Sequence, residues 1–135
     1  MNNYTDMLRA RNLKATPQRL EITNVLYVQG HATIETLYET MIKKFSSVSL
    51  ATIYKNVNLM LENSFIQEVK IPRSKSVYEL TKESHSHMVC EDCGTVEDVS
   101  VDLDAIVNEV SKKTAFNVAS TNLVLSGKCQ NCQQR

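Results

Sequence analysis

The chain has 135 residues, four cysteines, three histidines and no net charge, a length that fits one domain or two small ones. No apolar run approaches the roughly 18 residues of a membrane span, and the N-terminus lacks the apolar middle of a secretory signal. We therefore expect a cytoplasmic protein with no membrane partner. In that compartment, paired cysteines indicate metal ligands or a redox centre rather than structural disulfides.

The neutral total hides two halves of opposite charge. Residues 1–82 carry 11 Lys and Arg against 7 Asp and Glu, whereas residues 83–135 carry 4 against 8. The basic half can therefore meet a polyanion while the acidic half serves another purpose. An accidental asymmetry is the alternative.

The first part of the chain predicts two helices in succession. Thr16 caps the first helix, Pro17 occupies its first turn, and Gly30 ends it. The second helix runs from Thr33 to about Phe45, with its apolar residues on one stripe.

The third predicted helix, residues 48–63, has Ser49 as its N-cap and two different faces. The apolar face, predicted to be buried, consists of Leu50, Ile53, Val57, Met60 and Leu61. The opposite, exposed face carries Thr52, Lys55, Asn56 and Asn58, with Tyr54 at its edge.

Two short strand-like runs, residues 65–71 and 76–80, follow the third helix. They predict a hairpin with Arg73 and Lys75 at its tip. Three helices and a hairpin in this order predict a winged helix-turn-helix domain, which we place at residues 1–82.

The pattern changes after the hairpin. Residues 87–90 and 95–101 resemble strands, residues 102–114 a helix, and residues 116–127 one or two strands. We therefore predict a second domain of α/β structure over residues 83–135, and an α/β (α+β) class for the chain.

Two cysteine pairs, Cys90 with Cys93 and Cys129 with Cys132, each have the CxxC spacing of a zinc knuckle. Four thiolates suit a closed tetrahedral site for structural Zn²⁺. The alternative is a thioredoxin-like redox pair, which requires a strand-to-helix turn. Gly94 and a following strand argue against it.

A second metal site is indicated by the stretch HSHMVC at residues 85–90. In an extended segment His85 and His87 point to one face and Cys90 to the other, so one ion cannot easily bind both sets. The two histidines need further ligands, and His31 is the only other histidine. Since a lone histidine is more often unrelated to metal, the residues alone leave its role open.

Taken together, the motifs resemble those of the ferric uptake regulator (Fur) family, in order, over residues 10 to 132. They are TPQR (16–19), HAT (31–33), SLATIYKN (49–56), YEL (78–80), HSHMVCEDCG (85–94) and CQNC (129–132). The resemblance implies a homodimeric, metal-dependent repressor of transcription that is not an enzyme. It also implies an N-terminal winged helix and a C-terminal α/β dimerisation domain.

The resemblance assigns ligands to two metals. It matches the four cysteines to structural Zn²⁺, and it places a regulatory Fe²⁺ or Mn²⁺ between the domains. The matching regulatory ligands are His31, Glu79, His85, His87 and Asp98. Many relatives bind a further metal at places that hold Ser86 and Thr121 here, so we predict no third site.

The family contains iron, peroxide and zinc sensors, and Asp98 favours the peroxide branch. Peroxide sensors usually have Asp at this place and iron regulators Glu. Glu79 favours the iron branch instead. Glu97 lies next to Asp98, so a shift of one residue in the alignment would make this ligand a glutamate. In a peroxide sensor, iron-catalysed oxidation of His31 and His85 to 2-oxo-histidine would release metal and DNA. The alternative is an iron-uptake regulator, or a zinc sensor, with the same fold and site.

The third helix would enter the major groove of double-stranded operator DNA, an A·T-rich inverted repeat by resemblance. The expected contacts are Thr52, Tyr54, Lys55 and Asn56 on this helix, Lys14 and Arg19 before and in the first helix, and Arg73 and Lys75 on the wing. Asn58 stands where relatives often have Arg, so we claim no base-specific contact there.

Two other classes of protein explain fewer of these features. A zinc-dependent hydrolase could use the histidines to activate water, but the sequence has no HExxH motif, and a DNA-reading helix would have no purpose. An interaction module based on the four cysteines alone leaves the winged helix unexplained. Metal-dependent retention of DNA in a gel shift is expected only of the repressor.

Overall fold

The computed structural model describes residues 3–82 and 85–134. The chain separates into two compact units, residues 1–82 and 83–135. The predicted start of the second domain, at residue 83, lies outside the described residues and stays a prediction. No helix in the described part of the chain is both long and apolar enough to cross a bilayer.

The first unit consists of four helices followed by an antiparallel hairpin. Its elements are α1 (Tyr4–Arg9), α2 (Pro17–Gln29), α3 (Ile34–Lys44), α4 (Leu50–Glu62), β1 (Ile66–Val69) and β2 (Val77–Leu80). Ala32 adds an isolated bridge to Tyr78 of β2. This order confirms the predicted winged helix.

Capping side chains begin these helices where the sequence predicts. Thr16 Oγ1 accepts a hydrogen bond from the backbone N–H of Arg19, and Ser49 Oγ accepts one from that of Thr52. Gly30 ends α2 with a φ of 82°, a conformation that is unfavourable for residues with a Cβ.

Helix α1 precedes the three predicted helices and was not predicted from the sequence. Leu8 on α1 and Leu13 just after it are buried in the same core as α2, α3 and α4. Tyr4 Oη also donates a hydrogen bond to Asn24 Oδ1 at 3.0 Å. A helix this short is not stable alone, so its packing on α2 sustains it.

Helix α4 buries Ile53, Val57 and Met60, as predicted. The prediction that Leu50 is buried is wrong, since 46% of its surface is exposed. Leu50 is the first residue of α4, and the first residue of this helix that is buried in the core is Ile53.

The second unit contains a three-stranded sheet and two helices, which confirms the α/β prediction. Its elements are β3 (Ser86–Cys90), β4 (Val96–Val99), α5 (Leu103–Thr114), β5 (Val124–Gly127) and α6 (Gln130–Gln133). The strand order is β4-β3-β5, with β3 antiparallel to β4 and parallel to β5. Within residues 116–127, which were predicted to form one or two strands, the structure has a single strand at residues 124–127, which pairs with β3.

Several large apolar side chains of the second unit are exposed to solvent. They are Met88, Val101, Ile106, Val110, Phe116 and Leu125. Helix α5 has no buried residue at all along its described length. Apolar surface of this extent on a small unit is typical of a contact surface.

Candidate metal centres

The two cysteine pairs converge at one end of the three-stranded sheet. Strand β3 ends at Cys90 and the parallel strand β5 ends beside it at Gly127. Because parallel strands end at the same edge, the turns that follow them bring Cys93 and Cys129 together. The four cysteines offer sulfur atoms that all lie within 4.8 Å of one another.

The spacing of these sulfur atoms fits a tetrahedral zinc ion. Cys93 Sγ and Cys129 Sγ are 3.8 Å apart. A tetrahedron with Zn–S bonds of ~2.3 Å places its sulfur atoms about 3.8 Å apart, whereas a disulfide requires about 2.05 Å. All four cysteines are free. The convergence of all four sulfur atoms, rather than of one pair alone, favours the metal site over the redox pair.

Hydrogen bonds favour the ionised form of two of the four cysteines, Cys90 and Cys93. The backbone N–H groups of Cys129 and Cys93 lie 3.4 and 3.5 Å from Cys90 Sγ and lower the pKa of this thiol to about 6. Contact with the Thr95 hydroxyl lowers the pKa of Cys93. Hydrogen bonding to the Cys129 side chain raises the pKa of Cys132. Four thiolates so close together repel one another, so their full ionisation requires a cation such as Zn²⁺.

The opposite face of β3 carries a second cluster. The rings of His85 and His87 are 4.5 Å apart between centroids, and Asp98 Oδ1 lies 3.6 Å from Nε2 of each. The two distances from Asp98 Oδ1 to Nε2 are longer than a hydrogen bond. They are close to the ~3–3.5 Å that separates two donors bound to one ion with bonds near 2.1 Å. The three side chains therefore fit a divalent cation.

The pairing of β3 with β4 shows which acidic residue belongs to this cluster. Asp98 lies directly opposite His87, whereas Glu97 lies opposite Met88. Directly opposed residues of an antiparallel pair share one face of the sheet. Asp98 is therefore the carboxylate on the histidine face.

The first unit contains a buried pair of a histidine and a carboxylate. The bridge between Ala32 and Tyr78 places the segment of His31 beside β2, which carries Glu79. His31 Nε2 lies 2.8 Å from Glu79 Oε2, and Glu79 is fully buried. Gln67 Nε2 donates a hydrogen bond to the other carboxylate oxygen, Oε1, at 2.6 Å. A buried carboxylate requires such partners.

Each unit thus holds nitrogen and oxygen donors, of a type that suits Fe²⁺, Mn²⁺ or Zn²⁺. The first unit offers one imidazole and one carboxylate, and the second offers two imidazoles and one carboxylate. Of the two positions on which the prediction of no third site rests, Ser86 is buried and Thr121 is exposed. The absence of a third site stays a prediction.

Helix α4 presents Tyr54 and Lys55 to solvent, but Asn56 does not belong to this face. Tyr54 is 45% exposed, whereas Asn56 is 8% exposed. The prediction that Asn56 lies on the exposed face is wrong. Position 56 is three residues after Ile53 and four before Met60, so it lies along the buried stripe of the helix.

Asn56 connects α4 with the beginning of α2. Its Oδ1 accepts a hydrogen bond from Arg19 Nε at 3.1 Å, and its Nδ2 donates to Gln18 Oε1 and to the Thr52 carbonyl. Arg19 Nη1 donates in turn to the Lys14 carbonyl at 3.2 Å. Four residues predicted to contact DNA therefore form one network: Lys14, Arg19, Thr52 and Asn56.

The loop between β1 and β2 carries Arg73 and Lys75, both exposed, as predicted. Lys75 Nζ lies 3.0 Å from Glu35 Oε1, and this hydrogen bond lowers the pKa of Glu35. An exposed ion pair of this kind contributes little stability. Lys75 can therefore exchange Glu35 for another anion at little cost.

Three side chains of these sites were not identified from the sequence: Gln18, Gln67 and Thr95. Each contacts a predicted site residue, namely Asn56, Glu79 and Cys93. Thr95, two residues from Cys93, could have been found from the knuckle motif. Gln18 and Gln67 depend on packing between segments that are far apart in sequence.

Comparison with known proteins gives one consistent result. A sequence profile of the Ferric uptake regulator family matches residues 10–126. The peroxide-responsive repressor PerR of Staphylococcus saprophyticus is 29% identical over 130 residues, which cover 95% of this chain and 88% of that protein.

Two solved structures extend this similarity to the fold. The Campylobacter jejuni peroxide stress regulator is 33% identical with a TM-score of 0.73, covering 97% of this chain and 100% of that one. The Vibrio cholerae ferric uptake regulator is 31% identical with a TM-score of 0.77, covering 94% of this chain and 100% of that one. The chain therefore belongs to the ferric uptake regulator family of dimeric, metal-responsive, DNA-binding transcription regulators.

Proposed function

We propose that this chain is a cytoplasmic repressor that binds operator DNA as a homodimer when a regulatory metal is bound. Oxidation of ligand histidines by peroxide releases it from DNA. The observation that supports this function is that each unit holds histidine and carboxylate side chains of the kind that bind a divalent cation. His31 and Glu79 belong to the winged-helix unit, and His85, His87 and Asp98 belong to the other.

A divalent ion that takes ligands from both units would fix their relative arrangement. In a dimer, that arrangement determines the distance between the two copies of α4, which must match successive half-sites on DNA. The metal then acts by favouring one conformation of several. The two carboxylates, Glu79 and Asp98, would balance the charge of the ion.

The dimer is supported by the exposed apolar residues of the second unit, such as Ile106 and Phe116. Burying them against a second copy would remove them from water, which is favourable. This unit would therefore be the dimerisation domain, and the winged helices of the two copies would remain available for DNA.

Peroxide sensing is favoured over iron sensing by Asp98 and by the similarity to two peroxide regulators. Bound Fe²⁺ would act as a catalyst, passing electrons to the O–O bond of H₂O₂ and regaining them from the imidazole. The C2 carbon of His31 or His85 gains one oxygen from H₂O₂ in place of its hydrogen and is oxidised by two electrons. The second peroxide oxygen leaves as water. The altered imidazole is a poorer ligand, so the link between the units is lost.

The alternative is a regulator that responds to the availability of Fe²⁺, with the same fold and ligands. Glu79 and the 31% identity to the Vibrio cholerae ferric uptake regulator favour this alternative. A zinc sensor is the other alternative, since the same donor set also suits Zn²⁺.

Peroxide treatment of the iron-loaded protein is expected to add one oxygen atom to His31 or His85 and to abolish operator binding. The manganese-loaded protein should keep both its mass and its DNA, because Mn²⁺ does not reduce peroxide under these conditions. Peptide mass spectrometry combined with a gel shift measures both effects. Unmodified histidines in a protein with bound iron would reject the peroxide branch in favour of the iron sensor.

The proposed DNA surface consists of Tyr54, Lys55 and Thr52 on α4, together with Arg19, Lys14 and the wing residues Arg73 and Lys75. Asn56 has a different role here from the direct DNA contact predicted for it. Because its Oδ1 accepts from Arg19 Nε, Asn56 would hold the guanidinium in place for a phosphate.

Asn56→Ala is expected to weaken operator binding roughly 10-fold and to reduce the salt dependence by about one phosphate contact, since Arg19 loses its support. Asn63→Ala is the matched control. Asn63 Nδ2 also donates to the carbonyl four residues earlier, but it has no link to Arg19. Fluorescence anisotropy over a range of salt concentrations measures both quantities, and an unchanged salt slope in Asn56→Ala would contradict this role.

A further inference from the structure

Gln67 faces Glu79 directly across the hairpin. The two residues are register partners in the β1–β2 pair, so their side chains lie on the same face. Gln67 Nε2 donates to Glu79 Oε1 at 2.6 Å, the shortest side-chain hydrogen bond described in the first unit. Glu79 is fully buried, whereas Gln67 is half-buried.

The two oxygen atoms of Glu79 thus have different partners. Oε1 accepts from Gln67, and Oε2 lies 2.8 Å from His31 Nε2. The terminal torsion of a glutamate is broad and has no single preferred angle. Contacts at both oxygens restrict this torsion, so the plane of the carboxylate is fixed.

The geometry points to Gln67 as a positioning residue of the regulatory metal site, an inference that rests on the function proposed above. By holding Oε1, Gln67 directs Oε2 towards His31 Nε2, so that the first unit presents one oxygen and one nitrogen to the ion. Glu79 would then offer a single oxygen. Together with His85, His87 and Asp98, the chain would offer five donors of the type that suits Fe²⁺ or Mn²⁺.

Side chains that orient metal ligands contribute strongly to affinity, and their loss typically weakens metal binding 10- to 100-fold. Gln67→Met keeps the length of the side chain and removes its N–H donor. We expect the Kd for Mn²⁺ to rise about 10-fold in the full-length, zinc-containing protein. The visible absorption of Co²⁺ bound at this site should also change, because it depends on the geometry of the ligands.

Glu68→Met is the matched control, since position 68 follows Gln67 on the same strand and points to the other face. It should leave both the Mn²⁺ titration and the Co²⁺ spectrum as in the wild type. Thermal unfolding checks that each variant is folded, and Gln67→Leu replaces Gln67→Met if the latter is not.

A Kd within twofold of the wild type, or an unchanged Co²⁺ spectrum, would show that Gln67 only packs in the hairpin and would overturn the inference. If the wild type itself binds no Mn²⁺ beside its zinc, the proposed function fails, and the inference fails with it. The first result leaves the proposed function intact, so the two failures are distinguishable.

Discussion

Replacing Cys132 by serine is expected to abolish zinc binding and the cooperative folding of the second unit. Cys132 is buried, and its sulfur belongs to a cluster with three others within 4.8 Å. In small domains the free energy of binding structural zinc is as large as the stability of the whole domain. The second unit has few buried apolar residues of its own, so it has little else to sustain it.

Metal analysis and thermal unfolding measure the effect of Cys132→Ser. The expected result is the loss of one zinc per chain, together with the unfolding transition of the second unit. Asn131→Ala is the matched control, because Asn131 is exposed and lies between the two cysteines of the same CxxC pair. A zinc-free Cys132→Ser protein that unfolds like the wild type would disprove the structural role of the site.

Replacing His31 by alanine is expected to remove the metal dependence of operator binding. Wild-type protein should bind DNA roughly 5- to 150-fold more tightly with Mn²⁺ than without it, the usual range of coupling between two sites. The variant should show no such difference, because the winged-helix unit loses the imidazole that lies 2.8 Å from Glu79. Fluorescence anisotropy with operator DNA, at saturating Mn²⁺ and without it, measures the difference.

The His31→Ala variant also leaves Glu79 buried with one partner fewer, which can lower the stability of the first unit. Asp98→Asn, in the other unit, tests the same coupling without this complication, since Asp98 is 33% exposed. It too should lose the response to Mn²⁺, although its apo-protein should bind DNA like the wild-type apo-protein. If both variants respond to Mn²⁺ as the wild type does, the proposed regulatory ligands are incorrect.

Features that depend on neighbouring backbone could be predicted from the sequence. Thr16, Ser49 and Gly30 fix helix ends through contacts within one turn, and the structure has those ends where the residues indicate. The alternation of His85, His87 and Cys90 along a strand likewise separates two clusters without knowledge of the rest of the fold.

Features that depend on distant segments could not be predicted in this way. Asn56 was assigned to the exposed face because it is polar, and only the packing of α2 explains why it is buried. The pairing of Gln67 with Glu79 depends on the register of a hairpin with a long loop, which the sequence does not specify. The short helix α1 exists because of tertiary packing rather than local preference.

The proposed ligands of two different metals lie on opposite faces of β3 and the residue before it, and this arrangement limits which insertions and deletions the gene can tolerate. Inserting or deleting one codon within residues 86–89 would reverse the faces on which His85 and Cys90 lie relative to each other. One such insertion or deletion would then disrupt both proposed metal sites, and no single substitution would restore them. The length of this strand should therefore be invariant among functional descendants, while side chains such as exposed Met88 remain open to substitution.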